Sequence, residues 1–205
     1  MPIDLRSLLV PAHTAVVTQE CQKAVLGEQA VFPQLAEEAR RQMIPNAARL
    51  VKAARAADVA VVHGIAVRRA DGLGSSTNAR LFGAARKAGV AMEPGSDGVE
   101  VIDEIGCAET DLVSQRLHGV GPMWGTDLDP ILRNLGVRTV VAIGVSVNVG
   151  VTNLVLDAVN AGYQVVLPRD AVAGIPAEYA DAVIDNTLSF LATIVTTDDV
   201  IEVWS

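Results

Sequence analysis

Apolar residues recur along this chain in two registers. Short unbroken runs rich in β-branched residues, at Thr14–Thr18, Val59–His63, Thr139–Ile143 and Gln164–Leu167, have the length and composition of strands buried on both faces. Between them, apolar positions fall at helical spacing. In AARLVKAARAA, Leu50, Val51 and Ala54 share one face with basic residues opposite, and Thr152 to Val159 keeps the same period until Gly162 stops it. Ala177–Ala192 reads as another amphipathic helix, with Tyr179, Val183, Ile184, Thr187 and Leu188 facing inward. Asp111-Leu112-Val113 and Thr193–Thr196 add short strands, for about six alternating with helices. Strand, helix, strand in this order implies right-handed parallel crossovers. The pattern predicts a three-layer α/β/α sandwich, Rossmann-like, around a parallel sheet.

Other segments are less regular. Residues 23–44 are mixed and partly helical in pattern, and Val99–Ile105 reads as the start of a short helix. Thr126 is placed to cap DLDPILRNLG, and Thr197-Asp198-Asp199 to open the last helix. From Gly64 to Gly98 the chain is polar and rich in glycine, as functional covers or subunit contacts are. Asp71 through Asn78 contains no phosphate-cradling glycine pattern and reads as a surface or subunit-contact loop. Prolines and glycines are spread along the chain without a linker, so residues 1–205 are expected to form one domain.

Composition narrows the function. A net charge of −8 argues against a nucleic-acid partner or an anionic membrane surface. Cys21 and Cys107 are too few for a disulfide framework, and His13, His63 and His118 fall in no metal-binding spacing, so no metal or cofactor is expected. No apolar run is long enough to span a membrane, and MPIDLRSLLVPAH lacks the features of a secretory leader, which points to the cytoplasm.

Two places concentrate candidate chemistry. Arg138 to Tyr163 runs as a buried strand, a small-residue turn and a helix, an arrangement that aims backbone N–H groups and a helix dipole at one spot. Gln19-Glu20-Cys21-Gln22 puts polar groups at the C-terminal end of the first strand, the edge where open parallel sheets bind ligands.

TAVVTQECQ, the long segment GTDLDPILRNLGVRTVVAIGVSVNVGVTNLVLDAVNAGYQVVLPRDAVA and AVIDNTLSFLATI together resemble the isochorismatase-like (cysteine hydrolase) superfamily over nearly the whole chain. The resemblance implies a catalytic Asp at the end of the first strand, a Lys after the short strand before G-T-D-L, and a nucleophilic Cys in the central turn. Here Glu20 stands at the Asp position, the Lys falls near Ser114-Gln115, and Gly150 stands at the Cys position. No lysine lies between Lys87 and the C-terminus. Gly150 offers no nucleophile, and Cys21, next to Glu20 on an extended strand, is expected to point to the other face.

The superfamily's isochorismatase branch cleaves a vinyl ether by protonation, and some of its members carry Gly in that turn. By that likeness Glu20 is the general acid, its proton retained by an apolar wall and by the missing Lys charge. A cis peptide is implied at Val145–Ser146, with the amides of Ser146 and Gly150 directed at developing charge and Asn148 beside them. Arg116 and His118 lie in the loop that the likeness puts over the pocket, where Arg116 could supply a cation and His118 could titrate. Trp124 is either a pocket wall or a packing residue, and His63 either a third polar group at the sheet edge or a satisfied core histidine. The implied partners are a small-molecule substrate and further copies of the chain, as a dimer or tetramer. A non-catalytic protein that keeps the pocket for binding or assembly stays open as the alternative.

Overall fold

A computed structural model describes residues 4–205. Seven parallel strands form one sheet: β1 Thr14–Gln19, β2 Ala60–Ala66, β3 Leu112–Arg116, β4 Thr139–Val145, β5 Gln164–Pro168, β6 Val172–Ala173 and β7 Thr193–Val195. The order is β3-β2-β1-β4-β5-β7, and β6 pairs with the far end of β4. The chain moves from β1 to β2 and β3, then returns to the other side of β1 with β4. The order therefore reverses between β1 and β4, and a crevice opens there at the strands' C-terminal ends.

Alternation along β1 feeds two cores. Val16 packs on one face with Leu50, Val51 and Ala54 of α4 (Met43–Ala56) and with Val200 of the last helix. Ala15 and Val17 face Leu128 and Leu132 of α6 (Leu128–Asn134) and Leu154, Val155 and Ala158 of α7 (Thr152–Asn160). Every residue of β1 and β4 is buried, which explains their unbroken apolar runs. The remaining helices are α1 Leu5–Leu8, α2 Lys23–Leu26, α3 Pro33–Arg41, α5 Arg80–Lys87, α8 Ala177–Asn186 and α9 Thr197–Trp204.

Several expectations are corrected. The stretch Val99–Ile105 is not helical: Val101 bridges Gln22, the Ile102 amide donates to the Cys21 carbonyl, and only a 3-10 turn precedes them at Asp97–Val99. Backbone pairing to the β1 exit outweighs its weak helical pattern. β3 is longer than Asp111-Leu112-Val113 and carries Gln115 and Arg116 inside the ladder. The eighth helix stops at Asn186, leaving Tyr179 and Thr187 exposed while Ile184 and Leu188 are buried. The short strand β6 lies within a stretch that reads as a loop, too brief to show a period. Thr126 does accept a hydrogen bond from the Leu128 amide, at 3.1 Å. The last helix is capped by Thr196, one residue before the expected site, through a reciprocal box with Asp199.

Candidate functional site

The crevice holds a cavity of about 590 Å³. Its floor comes from the end of β1 and from the turn after β4. Glu20 leaves β1 in the left-handed region, at φ 52°, a conformation that non-glycine residues seldom adopt. This breaks the alternation of the strand, so Gln19 and Glu20 both come to the region of Gly150 instead of opposite faces. After β4 the Val145–Ser146 peptide is cis, and Val147–Val151 forms a single π-helical turn, with the amides of Val149 and Val151 both donating to the Ser146 carbonyl. Such turns interrupt helices chiefly at functional positions. Ser146, Asn148, Val149 and Gly150 all line the cavity.

Arg116 closes the floor from the β3 side. Its guanidinium donates to the Glu20 carboxylate and to the Gly119 carbonyl. The Arg116 side chain is only 8% exposed and that of Glu20 22%, so the ion pair is shielded from water. Burial brings Arg116 down from its ordinary value to about 10. A cation therefore does face Glu20, and it is Arg116, the alternative the sequence offers, and not the position near Gln115. Strand alternation explains the register: Gln115 points to the opposite face and lines a second cavity of about 490 Å³ beside Cys107, away from Glu20. One residue further on, Arg116 points inward.

His118 also lines the main cavity and packs on Gly125, where an added Cβ would lie 2.9 Å from its ring and where φ is +69°. Trp124 is 84% exposed and is not part of the cavity wall. The walls combine apolar side chains, Phe32 just before α3, Leu35 from α3, Leu81 and Phe82 from α5, and Met92 and Ile175, with the charged residues Arg68, Arg69, Asp71, Arg86 and Glu93. The segment Asp71–Asn78 does more than cover the surface, since Gly72, Ser75 and Ser76 line the cavity and the Ser76 hydroxyl accepts from the Gly119 amide.

His63 lies in a closed cluster and not in the cavity. It is fully buried, with Nδ1 2.8 Å from the Thr18 hydroxyl and Nε2 3.1 Å from Asp111. Arg55 and the Ala108 amide donate to the same carboxylate. Burial pushes His63 below its ordinary value despite Asp111. Burial pushes Asp111 up, but Arg55, the Ala108 amide and His63 outweigh it and leave the carboxyl below its ordinary value. Cys107 completes a group whose ligand atoms lie within 4.8 Å of one another, a proximity that the sequence spacing does not reveal. Those atoms could in principle meet a metal ion. Both oxygens of Asp111 are already engaged by protein donors, and Arg55 balances its charge without an ion.

Cys21 is 1% exposed, packed in the core with Val25 and Leu26, and burial pushes its thiol up to about 12. It is a core residue without thiolate character. No helix among the described residues is long and apolar enough to cross a membrane.

A doubly wound parallel sheet with an enclosed acid–cation pair and a π-turn at its switch point defines a Rossmann-like α/β protein with a small-molecule cavity. The model of the isochorismatase domain matches residues 14–199, and the chain belongs to the isochorismatase family. A Bacillus subtilis protein of that family is 31% identical over 153 residues, covering 73% of this chain and 75% of the other. A cysteine hydrolase from Pseudomonas syringae pv. phaseolicola is structurally similar at a TM-score of 0.80 and 25% identity, over 100% of this chain and 95% of that one. N-carbamoylsarcosine amidase from Thermoplasma acidophilum gives a TM-score of 0.70 at 25% identity, over 91% and 97% of the two chains.

Proposed function

We propose that this isochorismatase-family protein is a hydrolase that works without a nucleophilic cysteine. Glu20 acts as general acid on a small cyclic metabolite of the vinyl-ether type: it protonates the vinyl carbon, water adds to the oxocarbenium carbon and returns a proton to Glu20, and the C–O bond of the resulting hemiketal breaks to release a ketone and an alcohol, while the amides of Ser146 and Gly150 hold oxygens of the substrate. The supporting observation is the Glu20–Arg116 pair facing a cavity floored by a glycine, with no thiol on its walls. A neighbouring cation favours the ionised carboxylate, so proton delivery needs a substrate anion that competes for Arg116. Such a substrate would share the guanidinium, which keeps donors beyond the one given to Glu20. Amide hydrolysis, which the name of the Thermoplasma relative assigns to that protein, would have no covalent nucleophile at Gly150 here.

The test is turnover of isochorismate and a panel of enol ethers and amides by wild type and Glu20→Gln. General-acid work at Glu20 predicts a loss of about 10²–10⁴-fold on the enol ethers. Turnover that survives the substitution removes Glu20 from the role. A second reading, a non-catalytic binding protein, is favoured by the same bare glycine at position 150. It predicts a small molecule retained in native mass spectrometry and no turnover by wild type across the panel.

A further inference from the structure

Buried side-chain polar atoms without a hydrogen-bond partner are rare in folded proteins, and each calls for a reason. Among the described residues these are Nε2 and Oε1 of Gln19 and single atoms of Ser75, Ser96 and Asn148. Ser75 and Asn148 line the main cavity, and Gln19 lies against Gly150, a lining residue, without lining it itself. Gln19 is the extreme case: it is 1% exposed, and its whole carboxamide is unengaged.

The position of that carboxamide is specific. A Cβ built on Gly150 would lie 2.7 Å from Nε2 and 3.2 Å from Cγ of Gln19, and one built on Gly64 would lie 3.6 Å from Oε1. Neither glycine has a positive φ. At Gly64 the tight neighbours are the Thr18 carbonyl and Pro122, whereas at Gly150 the lack of a side chain answers a need for room that Gln19 fills. The volume that a side chain at position 150 would claim is occupied from β1 by a carboxamide with unspent donors and acceptors. Burying such a group unpaired costs about 1–3 kcal/mol, a cost that a hydrogen bond to a ligand would offset.

We infer that Gln19 is a ligand-binding residue of this site: its carboxamide, delivered from β1 behind Gly150, donates a hydrogen bond to a carbonyl or carboxylate oxygen of the ligand seated on the turn. This rests on the reading that the Gly150 cavity is the functional site, and not on Glu20 being an acid. With Phe32, Leu35 and Phe82 on the walls and Arg116 on the floor, the ligand class is a small cyclic apolar body carrying a carboxylate.

The test uses benzoate as probe on the full-length chain. In wild type, saturating benzoate is expected to move the Gln19 side-chain NH₂ resonances in a ¹H–¹⁵N spectrum, assigned by their absence in Gln19→Met. The Met variant has nearly the same length and no amide, and is expected to bind benzoate about ten-fold or more weakly while melting no lower than wild type. Toluene, with no oxygen, should bind both equally. The inference is overturned if the Gln19 resonances stay put at saturation, if wild type fails to bind benzoate, or if Gln19→Met binds it as wild type does. A Met variant that does not fold would also count against it, because that outcome assigns the carboxamide a structural role. Isochorismate turnover, measured separately, decides the acid role of Glu20 without bearing on this one.

Discussion

Two clusters of acid and cation lie along the sheet, one where β3 begins and one where β1 and β3 end, and they differ in one respect. At the β2–β3 edge, Asp111 takes hydrogen bonds from Arg55, the Ala108 amide and His63, while His63 spends its other nitrogen on Thr18. Nothing there is left over. At the β1–β4 crevice, Glu20 meets Arg116 beside a cavity whose floor keeps the carboxamide of Gln19 and an oxygen of Asn148 without partners. Residue types alone would favour the first cluster, with its Cys, His and Asp, as the reactive one. Unspent hydrogen-bonding capacity next to open volume selects the second, because a site for a ligand must be incomplete without it.

Substitution should separate the two clusters in opposite ways. Asp111→Ala removes the acceptor of a buried histidine and of a largely buried arginine, and is expected to cost about 3–5 kcal/mol in urea unfolding. Benzoate affinity of the folded fraction should stay at wild type. Glu20→Gln should do the reverse, removing turnover while lowering stability by less than Asp111→Ala does, since the neutral amide still accepts from Arg116 although its charge is no longer balanced. Matching stability losses in the two variants would erase the distinction.

A smaller effect probes the floor. Gly150→Ala places a methyl 2.7 Å from Gln19 Nε2 and 3.1 Å from the Val145 carbonyl. The carboxamide end can turn aside and the carbonyl cannot, so a loss of about 1 kcal/mol is expected. Gln19→Ala in the same chain should recover most of it. Simple additivity in that double-mutant cycle would show that the two residues do not compete for one volume.

How much of this was legible in the sequence follows from how local each signal is. The strands β1, β4 and β5 and the helix after the central turn are written in apolar runs and 3.6-residue periods, which depend on nothing distant. Glu20 and the Gly150 turn came from strand-end position and family likeness together. By resemblance the sequence places Arg116 in the loop over the cavity and the Lys position near Ser114-Gln115. The structure puts both residues within β3, and a one-residue shift of register on an edge strand exchanges the faces of both. His63, Cys107 and Asp111 are brought together only by the sheet ladder and a loop, so no spacing announces them. The sequence does not mark Gln19 as a binding residue, because its placement against Gly150, far along the chain, is a fact of three-dimensional packing.

Acid should strain the closed cluster first. His63 is held below its ordinary value, so the unfolded chain binds the extra proton and the folded one resists it. The stability it contributes is complete above about pH 6.5 and is lost as pH falls toward the folded value; that of Asp111, also held low, follows below about pH 4. The urea midpoint should therefore be level from pH 8 to 7 and decline from about 6.5 downward. His63→Gln should flatten the upper part of that decline. A decline unchanged by this substitution would mean that other groups set the acid limit.

The smallest expected effect concerns the thiols, and it bears most directly on which cluster does chemistry. Cys21 is sealed in the core with its thiol pushed up to about 12, and Cys107 is exposed beside the second cavity with its thiol also above the ordinary value, through burial and the charge of Asp111. Neither is poised as a thiolate at neutral pH. Iodoacetamide should label Cys107 slowly and Cys21 not at all in the native protein, as peptide mass mapping would read, and turnover of any substrate found should remain within about two-fold of the untreated level. Cys107→Ser should behave the same way. A large loss after labelling, absent in Cys107→Ser, would move the reaction to the Cys107–His63–Asp111 group and make the open cavity at Gly150 a binding site only.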